Sequence, residues 1–464
     1  MSTTTAAAPQ KQKSSLFINR NFALLWEGQA ISNLGDVVFD TTLLLWIATI
    51  IARNQPWAPL ASSGVLIVAY IPTLVFGPIA GVFVDRWDKR RTMLFMDVAR
   101  ALLILLLLLA TGLIPLPFFG TGKPPIFWQL GAIYTITFLT TICAQFFNPA
   151  RFAMIGDVVD EPHRPQASGL GQVTSNIALL IGPPLAAPLL FVIGVQWALM
   201  INAISFVVSF LSILAVRVPP TVESEAPKQK TTFLQELREG LSFFGKNRTL
   251  VTILSATGIV TFGVGALNAL DVYFVTQNLH TSATLYGIIG MVFGLGSILG
   301  AILSTIFMKQ IGVVRTFCLG LLVSGALILL LSRQSNFILA LVCFLFVGLP
   351  VVAANTAIGP MLLHLVPRNL VGRVISIFTP TMSLIQMLSV ALAGYLAGGL
   401  LQGLHTSFLG MTFGTIDTIF LGTGLLVFLG GLYAMVNLRS FRMEEQKEKA
   451  ADSATPVAEV AAEA

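Results

Sequence analysis

The stretch GVFVDRWDKRR, residues 81–91, separates two long apolar segments with a short run that is rich in basic residues. An acidic residue, Asp85, stands four positions after Gly81 and directly before Arg86. A basic cluster alone is typical of a cytoplasmic loop between membrane helices, but it gives Asp85 no role. Since Gly81 permits close helix approach and Asp85 can accept hydrogen bonds near a helix N-terminus, the stretch predicts a specialised helix connection.

Outward from this stretch, the composition is that of a membrane protein. The chain has 464 residues, of which 55% are hydrophobic and only 10% are charged. A soluble protein carries about 25% charged residues, so too little polar surface is present here to cover a water-exposed globule. Runs such as RALLILLLLLATGLI are long enough to cross hydrocarbon as helices. The sequence predicts an all-α polytopic membrane protein whose main partner is the lipid bilayer.

Polar residues and Pro or Gly breaks divide the chain into twelve predicted spans. The spans lie at about 22–51, 61–84, 92–114, 126–149, 168–193, 196–216, 249–275, 283–308, 313–332, 336–359, 374–401 and 412–437. A count of ten or fourteen is an alternative, because very few residues separate the fifth span from the sixth.

The longest internal polar stretch lies between the sixth and seventh spans, and its second part, residues 233–244, predicts an amphipathic helix on the membrane surface. The N-terminus lacks the apolar core of a signal peptide, so we expect the first span to be retained. The predicted divisions are a disordered N-terminus (1–20), a six-helix bundle (21–216), a cytoplasmic central loop (217–248), a second six-helix bundle (249–438) and a disordered tail (439–464).

The distribution of Lys and Arg predicts the orientation. With the N-terminus on the cytoplasmic side, the inner segments hold nearly all of the 27 basic residues, and the outer loops hold Arg53, Lys123 and Arg333. This asymmetry places both termini in the cytoplasm and the protein in the cell membrane. It also accounts for the formal net charge of +6 without a nucleic-acid partner.

Landmarks in the first half recur in the second. The 81–91 stretch follows the second span, and a fainter version, GAILSTIFMKQ, follows the eighth. NPARFAMIGDVVDEPHRPQASG follows the fourth span, and GPMLLHLVPRNLVGRVIS follows the tenth. These pairs predict two pseudo-symmetric six-helix bundles.

The 81–91 stretch is similar to the signature of the major facilitator superfamily, Gly-x-x-x-Asp-Arg-x-Gly-Arg-Lys/Arg. The positions that fit are Gly81, Asp85, Arg86, Lys89, Arg90 and Arg91. Asp88 stands where the family usually has glycine. NFALLWEGQAISNLGD, DVAR and VPRNLVGRV resemble the subgroup of macrolide-efflux and enterobactin-export proteins. The resemblance implies a major facilitator fold, and it implies that Asp85 latches the first bundle to the start of helix 11 near Arg373.

Carboxyl groups at membrane depth are functional candidates, because exposure to lipid is costly. In helix 1, Asp36 lies near the middle and Asp40 lies one turn further out on the same face. Glu27 lies about 13 Å closer to the cytoplasm on roughly the opposite face. Two neighbouring carboxyls favour retention of a proton by one of them, which suits proton-coupled transport or binding of a cationic substrate. The alternative is a structural role, with Asp36 bonded to polar neighbours such as Asn33.

Two further groups of charges lie within the spans. Asp97 and Arg100 share a face of helix 3, and we expect a structural or gating pair rather than a substrate site. Asp271 is the only acidic residue of the seventh span, so it either lines an outer vestibule or stands at a solvated helix end. The second half is otherwise nearly uncharged, which assigns coupling chemistry to the first half.

Helix 5 carries Gly182-Pro183, which resembles the start of the Gly-Pro-x-x-Gly-Gly motif of facilitator antiporters. Ala186 and Ala187 stand at the final glycines of that motif, and both are small enough for close packing. The alternative is an ordinary kinked membrane helix. The motif favours export.

The function predicted from these patterns is alternating-access transport, most simply proton-coupled efflux of a hydrophobic or cationic small molecule by a monomer. A proton gradient would drive it without a cofactor or metal, and the three cysteines indicate neither a disulfide nor a metal site. No phosphate loop or hydrolase motif is present, so a primary pump and an enzyme are disfavoured. An importer on the same fold, a lipid scramblase and a receptor are the alternatives.

Overall fold

The computed structural model describes residues 18–84, 86–114, 124–217, 247–367, 370–408 and 411–439, with residues 242 and 245. Within these ranges, twelve helices are long and apolar enough to cross a membrane. The predicted all-α polytopic fold and its number of spans are confirmed. The amphipathic helix predicted over 233–244 lies outside the described residues, apart from position 242, and so do most of the predicted terminal segments.

The helices follow one another through short connections. The first six are α1 (Arg20–Trp46), α2 (Ala58–Val84), α3 (Lys89–Ala110), α4 (Ile126–Val158), α5 (Arg164–Pro188) and α6 (Val195–Ala215). The second six are α7 (Arg248–Tyr273), α8 (Tyr286–Ile311), α9 (Val313–Leu331), α10 (Phe337–Leu365), α11 (Val371–Tyr395) and α12 (Thr415–Asn437). A π-helical turn extends α1, α5, α7 and α11, and an antiparallel hairpin of β1 (Thr406–Phe408) and β2 (Met411–Phe413) precedes α12.

Two helices are longer than the sequence predicts. The fourth span is predicted to end at Pro149 and the tenth to end just before Pro360, but α4 continues through Pro149 and α10 continues through Pro360. Proline removes one backbone donor, which a membrane helix tolerates where its neighbours satisfy the freed carbonyl. As a consequence Arg151, which the prediction assigned to a loop, lies inside α4.

The helices form two groups of six, which we call the N-half (α1–α6) and the C-half (α7–α12). In the N-half, α1 packs on α5 and α6, α3 packs on α4 and α6, and α2 packs on α4. The C-half repeats this arrangement, with α7 on α11 and α12, α9 on α10 and α12, and α8 on α10. Small residues allow the close approach: Gly296 and Gly300 of α8 lie against the backbone of α10.

The two halves meet through α2 with α11 and through α5 with α8. We call the end of the bundle where α1 begins the near end, and the end that carries the loop between α1 and α2 the far end. At the far end, Gly394 of α11 lies against Ser63 of α2, and Gly287 of α8 lies against Pro183 of α5. The hydroxyls of Ser62 and Tyr273 form a buried hydrogen bond of 2.7 Å between the halves. These contacts close the far end.

Candidate functional site

A cluster of charged side chains lies inside the N-half, centred on Arg100 of α3. The Arg100 side chain is 5% exposed, and its Nη2 atom donates a hydrogen bond of 2.6 Å to Oδ1 of Asp97. Its Nη1 atom lies 3.8 Å from Oδ2 of Asp36 on α1. The Ser209 hydroxyl of α6 donates to the other Asp97 oxygen at 2.6 Å. One guanidinium is therefore shared between two carboxyl groups from different helices.

Two aromatic rings enclose the Arg100 guanidinium. Its Cζ atom lies 4.4 Å from the ring centre of Phe147 on α4 and 4.2 Å from that of Phe206 on α6. A desolvated cation over a ring gains about 2 kcal/mol. The rings and the carboxyls together hold the charge inside the bundle and keep it from hydrocarbon.

Asp36 is the accessible member of the cluster. Its side chain is 42% exposed although it lies near the middle of α1, and its carboxyl interacts with Asn202 of α6. The neighbouring Gly35 lies against Asn202 and Ser205, so the missing side chain lets α6 come close to α1. The Asp36 carboxyl therefore stays accessible while it remains beside Arg100.

Arg151 of α4 also belongs to the cluster, although the sequence pattern predicts a loop at this position. It interacts electrostatically with Asp36 and Arg100, and it borders a cavity of about 120 Å³ together with Gln29 and Asn33. Its Nε atom is buried and has no hydrogen-bond partner among the described residues. The apolar residues that follow Arg151, including Met154, were the available signal that the helix continues. The partners Asn202 and Ser209 gave no such signal, because Ser and Asn occur throughout membrane helices.

The other predicted carboxyls are distributed as follows. Asp40 lies one turn beyond Asp36, is exposed, and interacts electrostatically with Asp36 and with Tyr70 of α2. Glu27 is exposed and is not part of the cluster. Asp271 lies on α7 in the C-half, in a cavity of its own.

Comparison with known proteins places this geometry in a family. The family described as transmembrane secretion effector matches residues 12–463. The chain belongs to this family of the major facilitator superfamily. It is therefore a membrane transporter of the major facilitator type.

Individual relatives match most of the chain in sequence or in fold. YkuC of Bacillus subtilis (strain 168), an uncharacterised transporter of the major facilitator type, is 24% identical over 443 residues, which cover 92% of this chain and 94% of that protein. Macrolide efflux protein A of Streptococcus pyogenes is 24% identical over 391 residues, which cover 81% of this chain and 89% of that protein. The solved structure of a bacterial homologue of the iron transporter ferroportin in an inward-facing state has a TM-score of 0.68 at 11% identity, covering 90% of this chain and 98% of that one.

In this major facilitator transporter, the loop between α2 and α3 and the first turn of α3 contact three helix ends of the N-half. The Asp88 side chain accepts a hydrogen bond of 2.7 Å from the Arg91 amide and caps α3. The φ angle of Asp88 is −65°, so the turn does not require the glycine that the family usually has there. Lys89 pairs with Asp157 of α4 at 2.7 Å, and Arg90 donates to the last carbonyls of α6, at Ile213 and Leu214.

The proposed latch falls largely outside the described residues. Asp85 and the Arg373 side chain are not described. Arg86 is exposed, and among the described residues nothing lies within 4 Å of the position that a Cβ on Gly81 would occupy. The latch between Asp85 and Arg373 stays a prediction.

The helix 5 motif lies where three helices meet. Gly182 packs on Val37 of α1, and Pro183 packs on Gly287 and Gly290 of α8. The motif therefore connects the helix that carries Asp36 to the interface between the halves.

Proposed function

We propose that this protein is a proton-coupled exporter of a hydrophobic or cationic small molecule, which works by alternating access between its two halves. The observation that carries the proposal is the cluster of Asp36, Arg100 and Asp97. It supplies an accessible carboxyl beside a buried cation in the middle of a transporter.

The cluster can exchange a proton without leaving a buried charge uncompensated. When Asp36 is ionised, Arg100 attracts it and α1 is held towards α3. When Asp36 takes up a proton, that attraction is lost, but Asp97 continues to neutralise Arg100 through the hydrogen bond of 2.6 Å. An unpaired buried charge would be strongly destabilising. Because Asp97 stays bonded to Arg100, protonation of Asp36 does not leave the Arg100 charge unpaired. Protonation thus changes how tightly α1 is tied to the rest of the N-half.

The closed far end supports a particular direction of access. The distribution of Lys and Arg predicts that the near end faces the cytoplasm, and with that orientation this conformation is closed towards the outside. The Asp36 side chain is 42% exposed in this conformation, which supports access to it from the end that is not closed. Transport then requires the α2–α11 and α5–α8 contacts to open while the near end closes.

The relatives favour export over import. Macrolide efflux protein A is an efflux protein by name and matches most of this chain. Gly182-Pro183, at the contact of α1, α5 and α8, resembles the antiporter motif of this superfamily. Together they support outward movement of the substrate in exchange for protons.

A flux measurement with Asp36→Asn tests the proposal. The purified full chain is reconstituted in proteoliposomes, a pH gradient is imposed, and the movement of erythromycin and of ethidium is followed. We expect the gradient to drive wild-type flux and Asp36→Asn to reduce this flux at least about tenfold, because asparagine cannot carry the proton.

Glu27→Gln is the matched control, since it removes a carboxyl from the same helix but outside the cluster; it should retain the flux. Absence of gradient-driven movement of every probe by the wild type would refute proton-coupled export. Near-normal flux in Asp36→Asn would remove Asp36 from the mechanism.

A further inference from the structure

The interior of the C-half contains a cavity of about 140 Å³ between α7, α8, α9 and α10. Its wall is mostly apolar, with Ile289, Phe293, Ile328, Phe344, Val347 and Val351 among the residues that line it. Three of the described lining residues carry polar side-chain groups: Asn268 and Asp271 of α7 and Tyr286 of α8. We call this space the Asp271 cavity.

Among the residues that the structure describes, Asp271 has no partner that explains its position. Its Oδ1 atom is inaccessible to solvent and accepts no hydrogen bond. No Lys, Arg or His of the described residues lines the cavity or forms an ion pair with Asp271. A buried acceptor without a partner costs about 1–3 kcal/mol. Asp97 of the N-half, by comparison, is fully buried but has both carboxyl oxygens bonded.

The chemistry of the wall selects the kind of ligand that would supply the partner. A metal ion requires several oxygen ligands, whereas this wall offers one carboxyl, one amide and one phenol. An organic ammonium ion requires a single counter-charge, and its alkyl groups pack favourably on aromatic faces such as those of Phe293 and Phe344. The aliphatic wall suits the hydrocarbon next to the nitrogen.

We propose that the Asp271 cavity binds the ammonium end of an amphipathic organic cation, with Asp271 as its counter-ion. The proposal rests on the proposed function as an exporter and names the substrate class and its site. The bulk of a larger substrate would extend from the cavity towards the space between the halves.

The position of the cavity links its occupant to the interface between the halves. Gly290 of α8 lines the cavity and also packs on Pro183 of α5. Tyr286, another lining residue, directly precedes Gly287, which lies against Pro183 and Pro184. A ligand that moves α8 therefore acts on a contact that closes the far end.

A pair of isosteric probes tests the proposal on the full chain in lipid nanodiscs. Benzyltrimethylammonium carries a permanent charge, and neopentylbenzene has the same shape without it. Equilibrium dialysis measures the binding of both probes to the wild type, to Asp271→Asn and to Asp417→Asn. Asp417 is the matched control, since it is a C-half carboxyl outside the cavity that accepts a hydrogen bond from the Gly414 amide at 3.1 Å.

We expect the cation to bind the wild type and Asp417→Asn alike and to bind Asp271→Asn at least about tenfold more weakly, a difference of about 1.4 kcal/mol. Three results would overturn the proposal: no binding of the cation to the wild type, equal binding to Asp271→Asn, or wild-type binding of the neutral probe as strong as that of the cation. Size-exclusion profiles and helical circular dichroism confirm that each variant is folded.

The dialysis result is independent of the proton-driven flux. Cation binding that depends on Asp271, together with a wild type that shows no gradient-driven flux, would refute the proposed exporter and leave a cation-binding cavity. Gradient-driven flux together with equal cation binding by the wild type and Asp271→Asn would refute the cavity proposal and leave the proposed exporter.

Discussion

The interiors of the N-half and the C-half are enclosed by corresponding sets of helices but hold charge in opposite ways. In the N-half, Asp36, Asp97, Arg100 and Arg151 lie together and compensate one another. In the C-half, Asp271 stands in a mostly apolar cavity, and none of the described residues on its wall is basic. The same scaffold therefore supports a neutralised cluster on one side and an isolated acid on the other.

This difference indicates a division of labour. A compensated cluster persists in the membrane through every stage of a cycle, so it suits the uptake and release of protons. An isolated carboxyl is satisfied only when a proton or a cationic ligand is bound, so it suits recognition. We infer that the N-half couples transport to protons and that the C-half selects the substrate. Three substitutions can break or sharpen this inference.

The largest effect is expected from Arg100→Met. The substitution leaves Asp97 buried and removes the cation beside Asp36, and breaking a buried pair costs about 3–5 kcal/mol. Unfolding of the purified protein in mixed detergent micelles, followed by circular dichroism, measures the change in the free energy of unfolding. We expect a loss of this size.

Arg315→Met on α9 is the control from the C-half. Arg315 forms no ion pair among the described residues and is only partly buried, so its loss should change the free energy of unfolding by less than about 1 kcal/mol. If both substitutions change the free energy of unfolding equally, the charge cluster around Arg100 stabilises the protein no more than an arginine without an ion pair does.

Much of the fold follows from the sequence because its signals are local. Twelve apolar segments give twelve helices, and the spacing of four between Asp36 and Asp40 places both on one helix face. The 81–91 stretch identifies the superfamily because its residues are contiguous. Asp97 and Arg100 are three residues apart, so their pairing also follows from helix geometry.

The rest of the candidate site depends on contacts between distant segments, which periodicity does not report. Asp97 and Ser209 are separated by 112 positions, and α6 reaches Asp36 only because Gly35 removes a side chain from the contact. The sequence predicts a loop at Arg151 because Pro149 is a strong local signal for a helix end. In the structure tertiary packing overrides this signal, and α4 continues through Pro149. The isolation of Asp271 is equally unreadable from the sequence, since it depends on what the other three helices place around it.

The second substitution, Asp271→Leu, should stabilise the protein. Leucine removes a carboxyl oxygen that accepts no hydrogen bond and adds hydrocarbon to an apolar wall, so we expect a gain of about 1–3 kcal/mol in the free energy of unfolding. Asp36→Leu in the same assay should be destabilising, because Asp36 has Arg100 beside it. A loss of stability on Asp271→Leu would mean that Asp271 has a structural partner, and the contrast between the halves would disappear.

The smallest effect concerns two tyrosines that bond to adjacent residues of α2. Tyr134 of the N-half donates to the Ala61 carbonyl at 2.8 Å, whereas the Tyr273 hydroxyl, from the C-half, bonds to that of Ser62 at 2.7 Å. A hydrogen bond contributes a net of about 0.5–1.5 kcal/mol, so Tyr273→Phe should raise the ratio of open to closed far ends about two- to tenfold. Spin labels at the exposed Arg53 and Ser335 positions, one on each half, report this as a longer distance in double electron–electron resonance.

Tyr134→Phe separates a loss of closure from a general loss of stability. Its bond lies within the N-half, so its removal should lower the free energy of unfolding and leave the distance distribution between the halves unchanged. If both substitutions shift the distances equally, the far end is held by the packing of α2 as a whole. If only Tyr273→Phe does so, the hydrogen bond between Ser62 and Tyr273 specifically stabilises the closed far end. Tyr273 lies two residues from Asp271, so a ligand in the Asp271 cavity would lie close to this hydrogen bond.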